Sequence, residues 1–429
     1  MKVKFNIIIG KVFCLSTIVL LFHACNQPSK VEGSKEQDEF VRSGSFFSDE
    51  TFLKKHTDLL ILRKGTSALA LVPSFQARVM TSTYDYNSGP SFGWINRPVI
   101  EKGFLSEEER KGKLEEHIYI FGGEERLWFG PEAGQYGLFF KPKTKFDFKN
   151  WMVPSAMDTE AYQLVNQTES SASFTHQADL MNFSGTTFKI GIERKVSLLG
   201  KAEIENLLNT KLSKDLNFVA YVSDNKVTNK GEKAWNPETG LISIWLLGMY
   251  NPAPKTVVVI PFKEGSEKEL GPKVNDEYFG KVPADYLKVE NNILYFKGDG
   301  THRGKIGLTA QRSKGIAASY DPEAKLLTFL TYNVQDALHG FVNSAWEIQK
   351  EPYSGDVLNS YNDGATTPDA DPLGPFYELE SSSPAAALAP NESITHIQNT
   401  IHIQGNEEEL SQLTSKLLGV SIEEINSKF

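Results

Sequence analysis

Cysteine is nearly absent: the chain has only Cys14 and Cys25 in 429 residues. Cys14 lies in an N-terminal stretch that reads as removable, so the mature chain keeps one cysteine and cannot close a disulfide. With Cys25 modified, a thiol nucleophile and a cysteine metal site are excluded too. Long hydrophobic runs are also missing. The longest near the N-terminus, "VFCLSTIVLLF" (Val12–Phe22), is too short to span a bilayer. Positive charge is in deficit, with a formal charge of -9. That balance argues against nucleic acid or anionic lipid headgroups as partners. Two patterns are lacking as well. No fixed repeat period runs along the chain, and no strand–helix alternation points to a parallel sheet.

The N-terminus carries an address. Lys2, Lys4 and Lys11 precede the apolar run, which ends at Ala24 and Cys25. This is the layout of a secretory signal, and a cysteine directly after a small residue matches the acylation site of a bacterial lipoprotein. Cleavage before Cys25 removes those three lysines and no acidic residue, taking the formal charge from -9 to -12. Residues 25–45 are polar and without hydrophobic periodicity, and read as a flexible tether. The expected address is the cell envelope, with membrane attachment through the lipid alone.

Beyond the tether the pattern is that of strands. "TTFKIGIERKVSL" places Phe188, Ile190, Ile192, Val196 and Leu198 on one parity. "GLISIWLLGMY" and "TVVVIPF" are continuous apolar runs bounded by Gly and Pro, and "KLLTFLTYNV" and "ITHIQNTIHI" alternate again. These features predict a mainly β fold, a large antiparallel β-sandwich over residues 46–405. Helix is sparse. Ser48 is placed to cap a short helix in "FFSDETFLKKH", and Ser106 with Glu109 suggests a capping box. Asn406 with Glu409, and Ser421 with Glu424, mark two starts in a helical tail over 406–429, with Gly419 between them.

Two stretches concentrate polar and aromatic side chains. The first, "HIYIFGGEERLWFGPEAGQYG", sets His117, Glu124, Glu125, Arg126, Trp128 and Glu132 among five glycines and a proline. Glycine lets backbone approach a ligand or turn sharply, and a hairpin with solvated charges fits the same residues. The second, "SAWEIQKEPYSGDVLNSYNDG", contains Trp346, Glu347, Tyr353, Asp356, Asn359, Tyr361, Asn362 and Asp363. Donors, acceptors and stacking rings together suit a sugar, although Asn362-Asp363-Gly364 is also a good turn. If Trp346 and Ile348 share one strand face, Glu347 shares the other with Ala345 and Gln349. His396 and His402 share parity with Gln398 and Thr400, which reads as a polar outer face. No third ligand has the spacing of a metal site, and no cofactor is indicated.

A resemblance sharpens these expectations. "VTNKGEKAWNPETGLISIWLLGMY", "AWEIQKEPYSGD" and "YELESSSPAAALAPNESITHIQNTIHIQ", in that order, resemble the galactose mutarotase-like superfamily, which includes aldose 1-epimerases. "GGEERLWFGPE" and "GDVLNSYNDG" more closely resemble a family of bacterial lipoproteins without an assigned function. The likeness covers about residues 57–405, by order of features more than by identity. It implies a β-supersandwich that binds carbohydrate. In the epimerases a glutamate in a Leu-Glu-Thr-Gln stretch is the base, and Glu347, in Trp-Glu-Ile-Gln, falls at that place. The epimerases' acid is a histidine. The corresponding run here has Trp245 and Met249 and no histidine. His117 or Arg126 is then the candidate acid or electrophile, with His302 and His339 as loop alternatives. The expected ligand contacts are Trp128, Glu132, Trp346, Tyr353, Asp356, Asn359, Tyr361, Asn362 and Asp363. The activity this implies is that of an aldose 1-epimerase-like isomerase, or of a lyase or hydrolase built on the same fold; the alternatives are a sugar-binding module without catalysis and a structural lipoprotein.

Overall fold

A computed structural model of the chain describes residues 44–104, 117–365 and 372–429. The signal, Cys25, most of the tether and the capping box at Ser106 lie outside the described residues. What is described is mainly β, with eighteen strands in three antiparallel sheets and a short helical tail.

The three-stranded sheet contains β1 (Leu60–Lys64), β2 (Ser67–Val72) and β3 (Arg78–Thr83). The five-stranded sheet contains β4 (Arg126–Gly130), β9 (Ser243–Tyr250), β13 (Gly304–Leu308), β16 (Leu358–Asn362) and β17 (Tyr377–Ser382), in the order β13-β16-β17-β9-β4. The ten-stranded sheet takes β5 (Gln163–Gln167), β6 (Ser171–Met181), β7 (Thr187–Leu198), β8 (Asn217–Asn229), β10 (Val257–Pro261), β11 (Leu287–Glu290), β12 (Ile293–Lys297), β14 (Ile316–Asp321), β15 (Leu326–Tyr332) and β18 (Ser393–Gln404). Its order is β11-β12-β10-β14-β15-β18-β8-β7-β6-β5.

The parity of each strand explains the stacking. On β7, Phe188, Ile190, Ile192, Val196 and Leu198 are buried while Thr187, Lys189, Glu193 and Lys195 are exposed. The alternation therefore has one wet face and one core face. The continuous run of β10 has a different cause. Val258 and Ile260 pack with Ile306, Leu358 and Leu379 of the five-stranded sheet, whereas Val257 and Val259 pack with the tail helices. A strand covered on both faces has no need of polar positions.

Helices α1 (Phe46–His56), α2 (Arg97–Lys102), α3 (Lys201–Leu207) and α4 (Glu267–Leu270) come earlier in the chain, and the tail forms as its caps predict. Helix α5 (Glu407–Leu417) starts at Asn406, whose side chain accepts the Glu409 N–H at 3.0 Å. Helix α6 (Ile422–Asn426) starts at Ser421, which accepts the Glu424 N–H at 3.1 Å. Gly419 between them has φ +81°, a left-handed turn that glycine makes without strain. Leu410, Leu413, Ile422 and Ile425 lie on Ile401, Ile403 and Phe329 of the ten-stranded sheet. The tail belongs to the same compact unit as the sheets. The helix at Phe46–His56 also forms, but its cap is Ser45; Ser48 lies inside it and donates its N–H to the Ser45 hydroxyl.

One expectation of parity is reversed. His396, Gln398, Thr400 and His402 do not face water, and each is at most 1% exposed. Ile401 and Ile403 take the helix-covered face of β18, so the even positions point between the sheets. Polar partners await them there. His402 Nε2 meets Glu124 Oε2 at 3.2 Å, Gln398 donates to Glu125 at 2.9 Å, and Arg194 pairs with Glu125 at 2.8 Å. Buried polar groups persist when partnered, and here the partners come from the segment just ahead of β4 and from β7.

Candidate functional site

The five-stranded sheet has a second face, turned away from the ten-stranded sheet. Register brings its side chains into rows: Arg126, Leu247, Glu380 and Asn359 lie across β4, β9, β17 and β16, and Met249, Glu378, Tyr361 and Lys305 form the next row. Loops rise over these rows and border a half-open cavity of about 100 Å³. Its lining includes Trp128, Trp151, Trp245, Trp346, Phe148, Phe279 and Phe376, with Arg126, Glu132, Arg303, Lys305, Tyr361 and Glu378 among them. A smaller lobe of about 30 Å³ shares Glu132, Trp245, Lys305 and Trp346 and adds Tyr278, Asp356 and Asn359.

The charged groups on the floor are paired across strands. Arg126 donates to Glu378 at 2.9 Å, and its guanidinium carbon lies 4.4 Å from the Trp128 ring centroid. Lys305 donates to Glu380 Oε2 at 2.8 Å, and the Trp245 indole N–H donates to that same oxygen at 2.9 Å. Burial pushes the Glu378 carboxyl up to about 7, with Arg126 pulling it down and the Glu380 charge adding to the rise. Glu132 accepts the Trp151 indole N–H at 2.7 Å. Burial raises its carboxyl as well, against Lys305 and the indoles of Trp151 and Trp346. In the smaller lobe Tyr278 donates to Asp356 at 2.6 Å and receives the Asn359 amide at 3.0 Å. Burial raises Asp356, while Tyr278 and Asn275 oppose the rise.

Of the residues singled out from sequence, Arg126, Trp128, Glu132, Trp346, Tyr361, Asp356 and Asn359 are brought together around the two lobes. Glu347 is not. Residues 343–350 form an irregular segment in place of a strand, and Glu347 is exposed, outside the lining of either lobe. The cause is Gln349. Its amide donates to the carbonyls of Asn343 and Ala345, and its N–H donates to Gln135. This curls the segment, drives Trp346 inward and turns Glu347 and Ile348 out, the latter 64% exposed.

Four more of the residues singled out from sequence lie outside the lining. His117 meets the Trp151 carbonyl through Nδ1 and lies against Phe148, behind the wall. Tyr353 donates to the Pro237 carbonyl and stacks on Tyr136. Asn362 points to the opposite face of β16, where it binds Gly300, Asp299 and His302. Asp363 accepts the Gly374 N–H and the Tyr361 hydroxyl. Of the loop histidines, His302 stacks on Tyr286.

Sequence reasoning missed Trp151, Tyr278, Phe279, Arg303, Lys305, Glu378 and Glu380. A signal for the last two was present: "YELESS" alternates two carboxylates with apolar residues inside a strand. Among the described residues no group of three or more His, Cys, Asp or Glu is placed to hold a metal ion.

The model of a family of unknown function, DUF6786, matches residues 44–429. No curated protein matches the chain. Similar solved structures include the Slr1438 protein from Synechocystis sp. PCC 6803, 13% identical, with 82% of this chain and 96% of that chain covered and a TM-score of 0.44. A putative aldose 1-epimerase from Escherichia coli K12 is 12% identical over 81% of this chain and 99% of that one, with a TM-score of 0.45. A galactose mutarotase-like protein from Lactobacillus casei ATCC 334 is 12% identical over 80% and 99%, with a TM-score of 0.44.

Proposed function

The chain belongs to that family of unknown function, and we propose that its cavity is a saccharide-binding site. One observation carries the reading: four indole rings surround a floor of hydrogen-bonding charges that are already held in place. A sugar ring offers apolar C–H faces and a rim of hydroxyls. Flat aromatic walls suit the faces, and oriented donors and acceptors suit the rim. Because Arg126, Glu378, Lys305 and Glu380 hold one another, little side-chain ordering is left for the ligand to induce.

The test is a titration with a panel of neutral and acidic mono- and disaccharides, followed by tryptophan fluorescence and calorimetry. Binding is expected to perturb the fluorescence, and Trp346→Ala to weaken it by about tenfold or more, as the loss of one well-packed aromatic contact implies. No binding across the panel, or an unchanged affinity in Trp346→Ala, overturns the reading.

A second reading, sugar isomerisation by proton transfer, is favoured by Glu378 alone. A carboxyl raised to about 7 exchanges its proton near neutral pH. This moves the base from Glu347 to the cavity floor. Glu378→Gln should then abolish anomer exchange measured by magnetization transfer while keeping binding; exchange at the wild-type rate in that variant sinks it. The same proposal keeps the domain at the cell envelope through Cys25, on the strength of the N-terminal lysines, apolar run and Ala24-Cys25 pair. A Cys25→Ser chain that still incorporates labelled fatty acid would refute that part.

A further inference from the structure

Three cations line the cavity, and they are not equivalent. Arg126 has Glu378 at 2.9 Å, and Lys305 has Glu380 at 2.8 Å. Arg303, just ahead of β13, has no carboxylate within 4.0 Å among the described residues. Its guanidinium carbon lies 3.7 Å from the Phe279 ring centroid, and its Nε is buried without a hydrogen-bond partner. Its polar neighbour is the hydroxyl of Tyr361, kept uncharged by burial, which supplies no counter-charge. Asp363 is engaged by the Tyr361 hydroxyl at 3.0 Å and the Gly374 N–H at 2.7 Å.

A guanidinium is charged at every accessible pH, and stacking on a ring covers one face while leaving its N–H edge available. A planar oxyanion matches that edge with two parallel hydrogen bonds. Leaving a partly buried cation uncompensated is costly, so such a cation lining a ligand cavity is best explained by a counter-charge that arrives with the ligand. We infer that the saccharide bound here carries an anionic substituent, a carboxylate or a sulfate or phosphate ester, received by Arg303 at the Phe279 side of the cavity. The inference rests on the saccharide reading above and narrows it to acidic sugars.

The test uses the full chain in calorimetry at low and physiological salt. The probes are D-glucuronate and D-galacturonate for the carboxylate, glucose 6-sulfate and glucose 6-phosphate for the ester, and D-glucose and D-galactose as neutral controls. Wild type is expected to favour one anionic arm over the neutral sugars by about tenfold or more, the size of a charge-assisted hydrogen bond. Arg303→Gln should bring the favoured anion down to about the affinity of its neutral counterpart, costing the anion about tenfold more than it costs the neutral sugar. Arg303→Lys, which keeps the charge without the fork, should recover part of the preference and covers the case in which the glutamine variant does not fold. Equal affinity for neutral and anionic sugars overturns this inference and leaves the saccharide reading standing. So does an Arg303→Gln chain that loses both alike. Absence of binding to every probe overturns both.

Discussion

His396 offers a quantitative test of how the two large sheets are joined. It is 0% exposed, and its Nε2 lies 2.7 Å from the Ser381 hydroxyl. That hydroxyl donates to Gln398 Oε1 at 2.6 Å, so the imidazole must carry its proton on Nε2 and donate. With no carboxylate against it, burial alone pushes its pKa down to about 3. The sign follows from proton linkage. An unfolded histidine binds a proton below about 6.5 and the folded one does not, so stability is complete above that value and is lost as pH falls toward 3. Between pH 7 and pH 5 the loss from this one group is about 2 kcal/mol. His396→Gln removes the titration and keeps an N–H for Ser381. Its fixed cost, from altered packing, is the same at each pH and cancels in the comparison. Urea unfolding followed by tryptophan fluorescence at pH 7, 6 and 5 should show a wild-type decline steeper than the variant's by that amount. Identical pH slopes in the two proteins would refute the assignment of a neutral, desolvated imidazole.

Two further outcomes follow from local geometry. A Cβ added at Gly307 would sit 2.0 Å from Asp356 Oδ2, so Gly307→Ala should displace that carboxylate and weaken ligand binding in calorimetry. Unchanged binding would mean the smaller lobe takes no part. Asn406→Ala removes the cap of α5 and should cost about 1 kcal/mol in denaturant unfolding. A loss below a few tenths would show that packing on Ile401 and Ile403, not capping, decides whether the tail folds.

The sequence determined what depends on neighbours along the chain. Caps at Asn406 and Ser421, the left-handed Gly419 and the two-residue period of β7 are local choices, and each forms as read. The glycine-rich segment was also legible as one unit of the cavity lining, because Arg126, Trp128 and Glu132 are close in sequence, the first two on one face of β4 and the third just beyond its end. Only the tertiary structure decided which face of a strand is inside. Period alone assigns two faces without saying which is wet, so the polar row of β18 was read as outward until the tail helices claimed the other side. It also decided the site's charge pairs. Arg126 and Glu378 are 252 positions apart, and Lys305 and Glu380 are 75 apart. No local pattern encodes such pairings; strand order does. Glu347 marks the same boundary from the other direction. A strand-like run of residues was bent by Gln349, whose partner Gln135 lies 214 positions away, and the acid turned out to water.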